Sequence, residues 1–391
     1  MESELYDILF SSKFTFITII TCQKLMNEST NENSDKLGEI TEKEIYEIPA
    51  ILKRILKTRE YMQSVAQEII SRDIRHIYLI GAGTSYHAGF AISYLFNKLL
   101  QIPTFTEYSM EFQYLIEPVL NEKDCIIGLS QSGETKDTIE SIEIGKGKGC
   151  LTIGVTNHPD SKLATICDFS LNLDAGEEKS VLATKTYVSQ LVHLAMLAIE
   201  AANLKKTITE SEYREIWDEL NSIPIKIETI LPDLHSKIKD YSNYFKFAEF
   251  CFILGGGQDY AAAMEASLKL KEGARIFGQA YSTAEFPHGP ITLADSKAWV
   301  IAIIPEKEDK RKRNILNLLR RIKEKKATIL GFYSSDEVPD NIDFGIRVPS
   351  TYKDLQPTLT ILGIQLLTLE IARIKNLNCD TPKFLTKVSG I

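Results

Sequence analysis

The chain lacks an excess of positive charge, paired cysteines and a secretory signal at its start. Its 53 acidic and 45 basic residues give a net charge of −8, which argues against a surface that neutralises nucleic-acid phosphates. The six cysteines form no Cys-x-x-Cys pair, and no cluster of residues has metal-ligand spacing. We therefore expect a reduced, cytoplasmic protein with no nucleic-acid, membrane, metal or cofactor requirement.

The first 41 residues carry no residues suited to catalysis, and we interpret them as an extension and linker. The apolar stretch Phe14 to Cys22 is far shorter than the roughly 20 residues that span a bilayer, and it lacks the basic flank of a signal peptide. Met26 precedes the polar tract 27–43. Residues 1–25 are therefore either a short added helix or an overlong start of the reading frame.

A hydroxyl-rich turn without lysine follows one apolar run. Residues 130–135 read Ser-Gln-Ser-Gly-Glu-Thr and come directly after the run 125–129. A strand that ends in such a turn before a helix presents unpaired N–H groups, a favourable helix dipole and hydroxyl donors to an anion. A nucleotide-binding P-loop would need a lysine here. The turn predicts a site for a small phosphorylated metabolite, and the alternative is a capped turn with no ligand.

Strand-like runs alternate with helical segments along most of the chain. The first half has predicted strands at 76–80, 104–108, 125–129, 151–155 and 169–173, and the second half at 250–254, 299–304, 327–333 and 344–348. The main predicted helices are 42–71, 86–100, 184–202, 210–244, 260–277 and 358–374. A strand, a glycine turn and a helix begin each half. We therefore expect an internal duplication of an α/β unit with a parallel sheet.

Six ordered motifs resemble one family. They are Gly83-Thr84-Ser85-Tyr86, the turn 130–135, Val181-Leu182-Ala183-Thr184-Lys185, the segment 265–272 (EASLKLKE), the segment 285–290 (EFPHGP) and the segment 382–387 (PKFLTK). Together they are similar to the tandem sugar-isomerase (SIS) domains of glucosamine-6-phosphate synthase and related stand-alone deaminases. The resemblance covers roughly residues 42–391. It implies two flavodoxin-like, three-layer α/β domains with a C-terminal tail over the active site.

The domain boundaries that follow from this resemblance divide the chain into four parts. We expect an extension at 1–41, a first SIS domain at 42–205, a second at 206–375 and the tail at 376–391. The resemblance also implies which residues bind the substrate, with Val181 contributing its backbone. Those for the sugar phosphate are Thr84, Ser85, Ser130, Gln131, Ser132 and Thr135, and those for the sugar are Val181 and Ala183.

Three charged residues have the spacing of one helical face. Glu265, Lys269 and Glu272 stand at i, i+4 and i+7, and taken alone they would be an ion-paired stripe on a surface helix. A sugar isomerisation needs one base that removes and returns a proton, and a carboxylate suits that role. By resemblance to the family, Glu272 is the base, Lys269 neutralises charge on the enediol oxygens, and Glu265 handles the amino group or ammonia.

Two further catalytic candidates lie in a proline-flanked loop and near the chain end. His288 is a candidate because a histidine side chain can move the protons that open a sugar ring. The family implies that it enters the active site of a neighbouring subunit, and therefore a homodimer. Lys387 would be a frayed terminal charge in most proteins. The family implies instead that it closes over the sugar, assisting ring opening or forming a Schiff base with the open-chain ketose.

The motif details favour one reaction among several. Ala183 stands where synthases present a serine, and the tail lacks a residue that synthases have after the lysine. About 40 residues precede the first matching helix, too few for a glutaminase domain. We expect a deaminase that converts glucosamine 6-phosphate to fructose 6-phosphate and ammonia through a cis-enediol. The alternatives are a synthase that uses free ammonia or a separate glutaminase subunit, another phosphosugar isomerase or deglycase, and a phosphosugar-binding regulator.

Overall fold

The first half of the molecule is a helical entry followed by a parallel sheet. The computed structural model describes residues 37–387, so the predictions for residues 1–25 lie outside the described residues. The elements are α1 (Glu39–Ile55), α2 (Arg59–Ser71), β1 (His76–Gly81), α3 (Thr84–Leu95), β2 (Thr104–Tyr108), α4 (Ser109–Leu115), β3 (Asp124–Leu129), α5 (Lys136–Gly147), β4 (Leu151–Thr156), α6 (Lys162–Ile166), β5 (Phe169–Asn172) and α7 (Lys185–Lys205).

The second half repeats this plan. Its elements are α8 (Glu210–Ser242), β6 (Phe250–Gly255), α9 (Gln258–Ala274), β7 (Phe277–Ser282), β8 (Trp299–Ile304), α10 (Lys310–Glu324), β9 (Thr328–Tyr333), β10 (Phe344–Arg347) and α11 (Pro357–Ile374). The sheet orders are β2-β1-β3-β4-β5 and β7-β6-β8-β9-β10, and every pairing is parallel. The predicted duplication and fold class are therefore confirmed.

One large apolar core lies between the two sheets. Alternate side chains of each central strand point to opposite faces, so Ile77 and Leu79 of β1 join this core while Tyr78 and Ile80 join a smaller outer cluster. Helices α3, α7, α9 and α11 fill the space between the sheets. The stretch 353–374, which contains α11, is apolar and long enough to cross a bilayer, yet its 18-residue apolar window is wholly buried in the protein. It is accordingly a core helix.

Two predicted helices differ from the observed ones. The segment predicted as one helix at 42–71 is interrupted at Leu56–Thr58 rather than at Pro49, which lies inside α1. The helix predicted to reach Phe277 ends at Ala274, and Arg275 adopts a left-handed conformation with φ of 51°. The strand β7 that follows was missed, because it is a short edge strand whose Gly278 and Gln279 weaken the apolar pattern.

Candidate active site

The hydroxyl-rich turn after β3 folds back on itself. Ser130 Oγ lies 2.8 Å from Thr135 Oγ1 and accepts a hydrogen bond from the Gly133 amide at 3.0 Å. Gly133 has a φ of 69°, and a Cβ there would lie 2.0 Å from Ser161 Oγ. Only glycine fits this conformation and close approach, so the local sequence fixes the shape of the turn.

Helix α5 begins directly behind this turn with its first amides uncapped by a side chain. Its N-cap residue is Thr135, whose side chain makes no capping hydrogen bond. The glycine turn after β1 brings Ser85 to the same edge of the sheet, where Ser85 Oγ accepts a hydrogen bond from Gln190 at 2.9 Å. The edge therefore combines hydroxyls with a free helix N-terminus, an arrangement that suits an anion.

A cavity of about 220 Å³ lies between these turns, helix α9 and the C-terminal tail. Ten of the thirteen predicted site residues line it, and they come from both halves of the chain. They are Thr84, Ser85, Ser130, Gln131, Ser132, Thr135, Val181, Ala183, Glu272 and Lys387. The structure thus gathers the hydroxyl turns, one carboxylate and the tail lysine around one space.

Lys387 closes one side of this cavity. Its ammonium donates to Glu178 Oε2 at 2.9 Å and to the backbone carbonyl of Ser180. The Glu178 carboxylate also accepts hydrogen bonds from the amide of Thr184 at 2.9 Å and from Thr186 Oγ1 at 2.8 Å. The tail lysine is therefore bound at the cavity wall rather than frayed into solvent.

The charged face of α9 is buried and is not a surface stripe. Lys269 lies between two carboxylates, 3.5 Å from Glu265 Oε1 and 2.6 Å from Glu272 Oε2. Burial alone would lower the pKa of Lys269, but the negative charges of Glu272 and Glu265 raise it above its ordinary value. Glu265 and Lys269 do not line the cavity. They lie behind Glu272, the member of the three that reaches it.

Glu265 connects the second half to the start of α3. Its carboxylate accepts hydrogen bonds from Thr84 Oγ1 at 3.0 Å and contacts His87 Nδ1 at 2.7 Å. Burial would raise the pKa of Glu265, but the Lys269 ammonium, followed by His87 and Thr84, holds it below its usual range. The network fixes the charged face of α9 against the first glycine turn.

Among the described residues, His288, like Glu265 and Lys269, does not line this cavity, and unlike them it is not part of the ion-paired group that contains Glu272. It ends the short 3₁₀ helix Phe286–His288 and is exposed. It is absent from the residues that line the cavity of its own chain. Its predicted entry into the site of a second subunit remains a prediction.

Three residues of the site were missed from the sequence. Glu178 binds the tail lysine, Gln190 donates to Ser85, and His87 contacts Glu265. His87 stands three residues after Thr84 and Glu178 three residues before Val181, so proximity to the motifs was the available signal. Among residues 37–387, no group of three or more metal-ligating side chains is placed to hold an ion.

The fold and the cavity define a duplicated parallel α/β protein whose first half has a sheet edge that suits an anion. The model of the SIS domain matches residues 70–200 and 248–370. The chain belongs to the SIS-domain family.

Similar proteins carry related names. The chain is 34% identical over 355 residues to a glutamine–fructose-6-phosphate aminotransferase (isomerizing) of Bacteroides thetaiotaomicron, covering 88% of this chain and 57% of that protein. The match to the same enzyme of Thermococcus kodakarensis is 33% identical, over 92% of this chain and 59% of that protein. The chain thus spans somewhat more than half the length of these relatives.

Solved structures share the fold. The C-terminal domain of glucosamine-fructose-6-phosphate aminotransferase from Francisella tularensis superposes with a TM-score of 0.82 and 28% identity, covering 89% of this chain and 99% of that one. A glucosamine-6-phosphate deaminase from Thermotoga maritima has a TM-score of 0.70 and 22% identity, with 89% and 99% covered. At 22% identity the latter supports the fold alone.

Proposed function

We propose that this protein converts glucosamine 6-phosphate to fructose 6-phosphate and ammonia. The observation that carries the proposal is the single cavity that joins the hydroxyl turns of the first half to Glu272 and Lys387. The turns suit a phosphate because they combine hydroxyl donors with an uncapped helix start. A carboxylate and an amine in the same cavity suit proton transfer and carbonyl chemistry.

In the proposed reaction, Glu272 acts as the base that moves a proton between two carbons. It removes the C2 proton of the open-chain aldose, and the electron pair forms a C1–C2 double bond while O1 gains a proton. Glu272 then returns its proton to C1, which leaves a C=N bond at C2. Water adds to that carbon, ammonia leaves, and the ketose remains. The intermediate is of the enediol type with nitrogen in place of one oxygen.

The other candidates support this step from around the cavity. Lys269 holds the Glu272 side chain by an ion pair of 2.6 Å, and Glu265 fixes Lys269 from the far side. Lys387 assists ring opening or forms a Schiff base with the ketose. His288, from a second copy of the chain, transfers the ring-oxygen and O1 protons, so the functional unit is a homodimer. The chemistry requires no metal or cofactor, and we assign the protein to the cytoplasm.

Synthesis in the reverse direction is the second candidate, and the names of the similar proteins favour it. The relatives from Bacteroides thetaiotaomicron and Thermococcus kodakarensis are glutamine-dependent aminotransferases. This chain would then take ammonia from solution or from a separate glutaminase subunit. The same base and the same intermediate serve both directions, so the cavity is compatible with either.

One experiment distinguishes these functions. Purified protein is incubated with glucosamine 6-phosphate, and separately with fructose 6-phosphate and ammonium, while ammonia and ketose are measured. Release of ammonia in the first mixture supports the deaminase, and amino-sugar formation at low ammonium supports the synthase. Binding of both sugars without turnover would refute the enzymatic proposal and favour a phosphosugar-binding regulator.

A further inference from the structure

Both acceptors of the tail lysine lie on one short segment. Lys387 contacts the Glu178 carboxylate and the Ser180 carbonyl. Both acceptors belong to residues 178–181, which we call the 178–181 loop. The position of the Lys387 ammonium therefore depends on how firmly this loop is held. The same loop places Val181 at the cavity wall.

Helix α1 holds the loop from the side opposite the cavity. Glu44 Oε1 accepts hydrogen bonds from the amide of Lys179 at 2.5 Å and from the amide of Ser180 at 3.4 Å. Thr41 Oγ1 lies 2.7 Å from Ser180 Oγ. Glu44 does not line the active-site cavity, so any effect on chemistry must act through the loop.

The same end of α1 binds the base of the tail. Asp380 Oδ1 accepts hydrogen bonds from the Thr41 amide at 2.8 Å and from Thr41 Oγ1 at 2.6 Å. The Asp380 carbonyl accepts the Val181 amide at 3.0 Å. A carboxylate at a helix N-terminus is electrostatically favourable. Helix α1, the 178–181 loop and the tail thus meet in one buried contact.

Glu44 is costly to keep in this place. The residue is 3% exposed, and its Oε2 is buried without a hydrogen-bond partner among the described residues. Burial, and then the nearby Glu178 charge, raises the pKa of Glu44 to about 7, against the opposing effects of the Lys179 amide, Lys185 and Lys387.

The other charged groups on this side of the loop form the walls of a neighbouring cavity, namely Glu39, Lys43, Glu47, Arg54, Glu177, Lys179 and Lys185. Lys185 pairs with Glu47 at 2.7 Å, and no ion pair with Glu44 is found among residues 37–387. A buried carboxylate without an ion pair lowers stability. The favourable contacts that Glu44 makes are its hydrogen bonds with the two loop amides, so a role for Glu44 must depend on them.

We propose that Glu44 is a positioning residue for Lys387: it fixes the 178–181 loop so that Glu178 and the Ser180 carbonyl hold the tail ammonium at the sugar cavity. The inference rests on the proposed function of Lys387. It assigns no contact between Glu44 and the substrate. The acceptor oxygen, rather than the charge, is the feature that matters.

The test compares Glu44→Ala, which removes the acceptor, with Glu44→Gln, which keeps an acceptor oxygen without the charge. Glu39→Gln is the control, because it removes a charge from an exposed side chain in the first turn of the same helix. For glucosamine 6-phosphate turnover, we expect Glu44→Ala to lower kcat by about 10- to 100-fold, because small misplacements of catalytic groups cost that much. KM should stay within about 3-fold, since the phosphate-binding hydroxyls are unchanged.

A second measurement reads the tail directly. Limited trypsin digestion cleaves after Lys383 and Lys387, and mass spectrometry follows the loss of the tail. We expect cleavage after Lys387 to be about 10-fold faster in Glu44→Ala, because local opening exposes the site. Glu44→Gln and Glu39→Gln should remain close to the wild type in both measurements.

Several outcomes would overturn the inference. One is a folded Glu44→Ala variant with wild-type kcat and tail cleavage, and another is an equal loss in Glu44→Ala and Glu44→Gln with unchanged cleavage. If Glu44→Ala does not fold, Glu44→Asp, which retracts the acceptor from the loop amides, gives the same two readouts. A wild-type protein without turnover would refute the proposed function instead, and tail cleavage alone would then decide the role of Glu44.

Discussion

The two halves treat the third strand of their sheets differently. After β3 in the first half, α5 begins at Thr135 without a side-chain cap. After β8 in the second half, Asp309 accepts hydrogen bonds from the first amides of α10, those of Arg311 at 2.8 Å and Lys312 at 3.2 Å. An aspartate carboxylate thus already occupies the place where a phosphate would bind.

The glycine turns after the first strand of each unit differ in the same way. In the first half the turn opens onto the active-site cavity proposed above through Thr84 and Ser85. In the second half a Cβ added to Gly257 would lie 3.1 Å from Arg311 Nη1, and this guanidinium donates to Gln258 Oε1 at 2.6 Å. The Arg311 side chain of α10 thus fills the space beside the second glycine turn.

The two halves therefore share one strand order but use their sheet edges differently. The first half leaves its sheet edge open and supplies the turns that we propose bind the phosphate. The second half satisfies its own edge and supplies Glu272 from α9. We therefore expect variants of the second half to affect chemistry or stability, and variants of the first-half turn to affect binding.

The largest effect should follow from replacing the base. We expect Glu272→Gln to lower exchange of the substrate C2 proton with solvent by about 1,000-fold or more, because general bases contribute on that scale. Proton exchange is followed by NMR in deuterated buffer. Binding of glucosamine 6-phosphate, measured by calorimetry, should change little.

Glu249→Gln is the matched control for the base, since Glu249 is exposed and precedes β6. It should exchange the C2 proton at the wild-type rate. Normal exchange in Glu272→Gln would remove Glu272 from the proposed role. If Glu272→Gln lost only binding, this would contradict the expectation that the first half binds the phosphate while the second half supplies the base.

A second variant gives the first half the feature of the second. Thr135→Asp places a carboxylate at the start of α5, where it caps the helix and repels the phosphate. We expect glucosamine 6-phosphate binding to weaken by about 100-fold, in line with a like-charge contact near a protein surface. Thr135→Asn also caps the helix but carries no charge.

The difference between these two Thr135 variants isolates the electrostatic effect. Thr135→Asn should bind the sugar phosphate at least about 10-fold more tightly than Thr135→Asp in the same calorimetric measurement. Equal affinities would indicate that the phosphate does not contact the start of α5. The proposed phosphate site would then have to be moved.

Local patterns in the sequence were sufficient to predict the open edge. The run 125–129, the glycine in the turn and the polar start of α5 are contiguous, so the strand, turn and helix follow from short-range rules. The duplicated three-layer fold followed from the resemblance of the motifs to the SIS family, whereas the strand order within each sheet was not predicted. The edge strand β7 was missed because its residues alternate weakly between apolar and polar.

The supporting contacts of the site could not be predicted because they connect distant parts of the chain. Lys387 and Glu178 are separated by 209 positions, and Thr84 and Glu265 by 181. The spacing of Glu265, Lys269 and Glu272 indicated one helical face but not whether that face was buried. Burial is set by the packing of α9 against α3 and α11.

A third prediction concerns the pH dependence of stability in the second half. Asp259, in the first turn of α9, is 1% exposed, and burial raises its pKa to about 7 despite the nearby Arg311 charge. Because the pKa is higher in the folded than in the unfolded state, the protonated carboxyl stabilises the fold fully at pH values below its ordinary pKa. This contribution is lost as the pH rises through about 7. Asp259→Asn removes the titration.

Between pH 5 and pH 8, the unfolding free energy of the wild type should therefore fall relative to that of Asp259→Asn. We expect a change of about 2 kcal/mol, because one pKa unit corresponds to about 1.4 kcal/mol and relaxation of the neighbours reduces the full shift. Urea denaturation at several pH values measures it. A constant difference across this range would mean that Asp259 is ionised throughout.

The smallest effect is expected where the second half caps itself. Asp309→Ala removes the carboxylate from the start of α10 and should lower the unfolding free energy by about 1 kcal/mol, the usual value of an N-cap. The KM for glucosamine 6-phosphate should not change, since Asp309 does not line the active-site cavity. Thermal unfolding and steady-state kinetics measure the two quantities. A raised KM would contradict the assignment of the phosphate to the first half, because it would mean that the start of α10 in the second half also affects substrate binding.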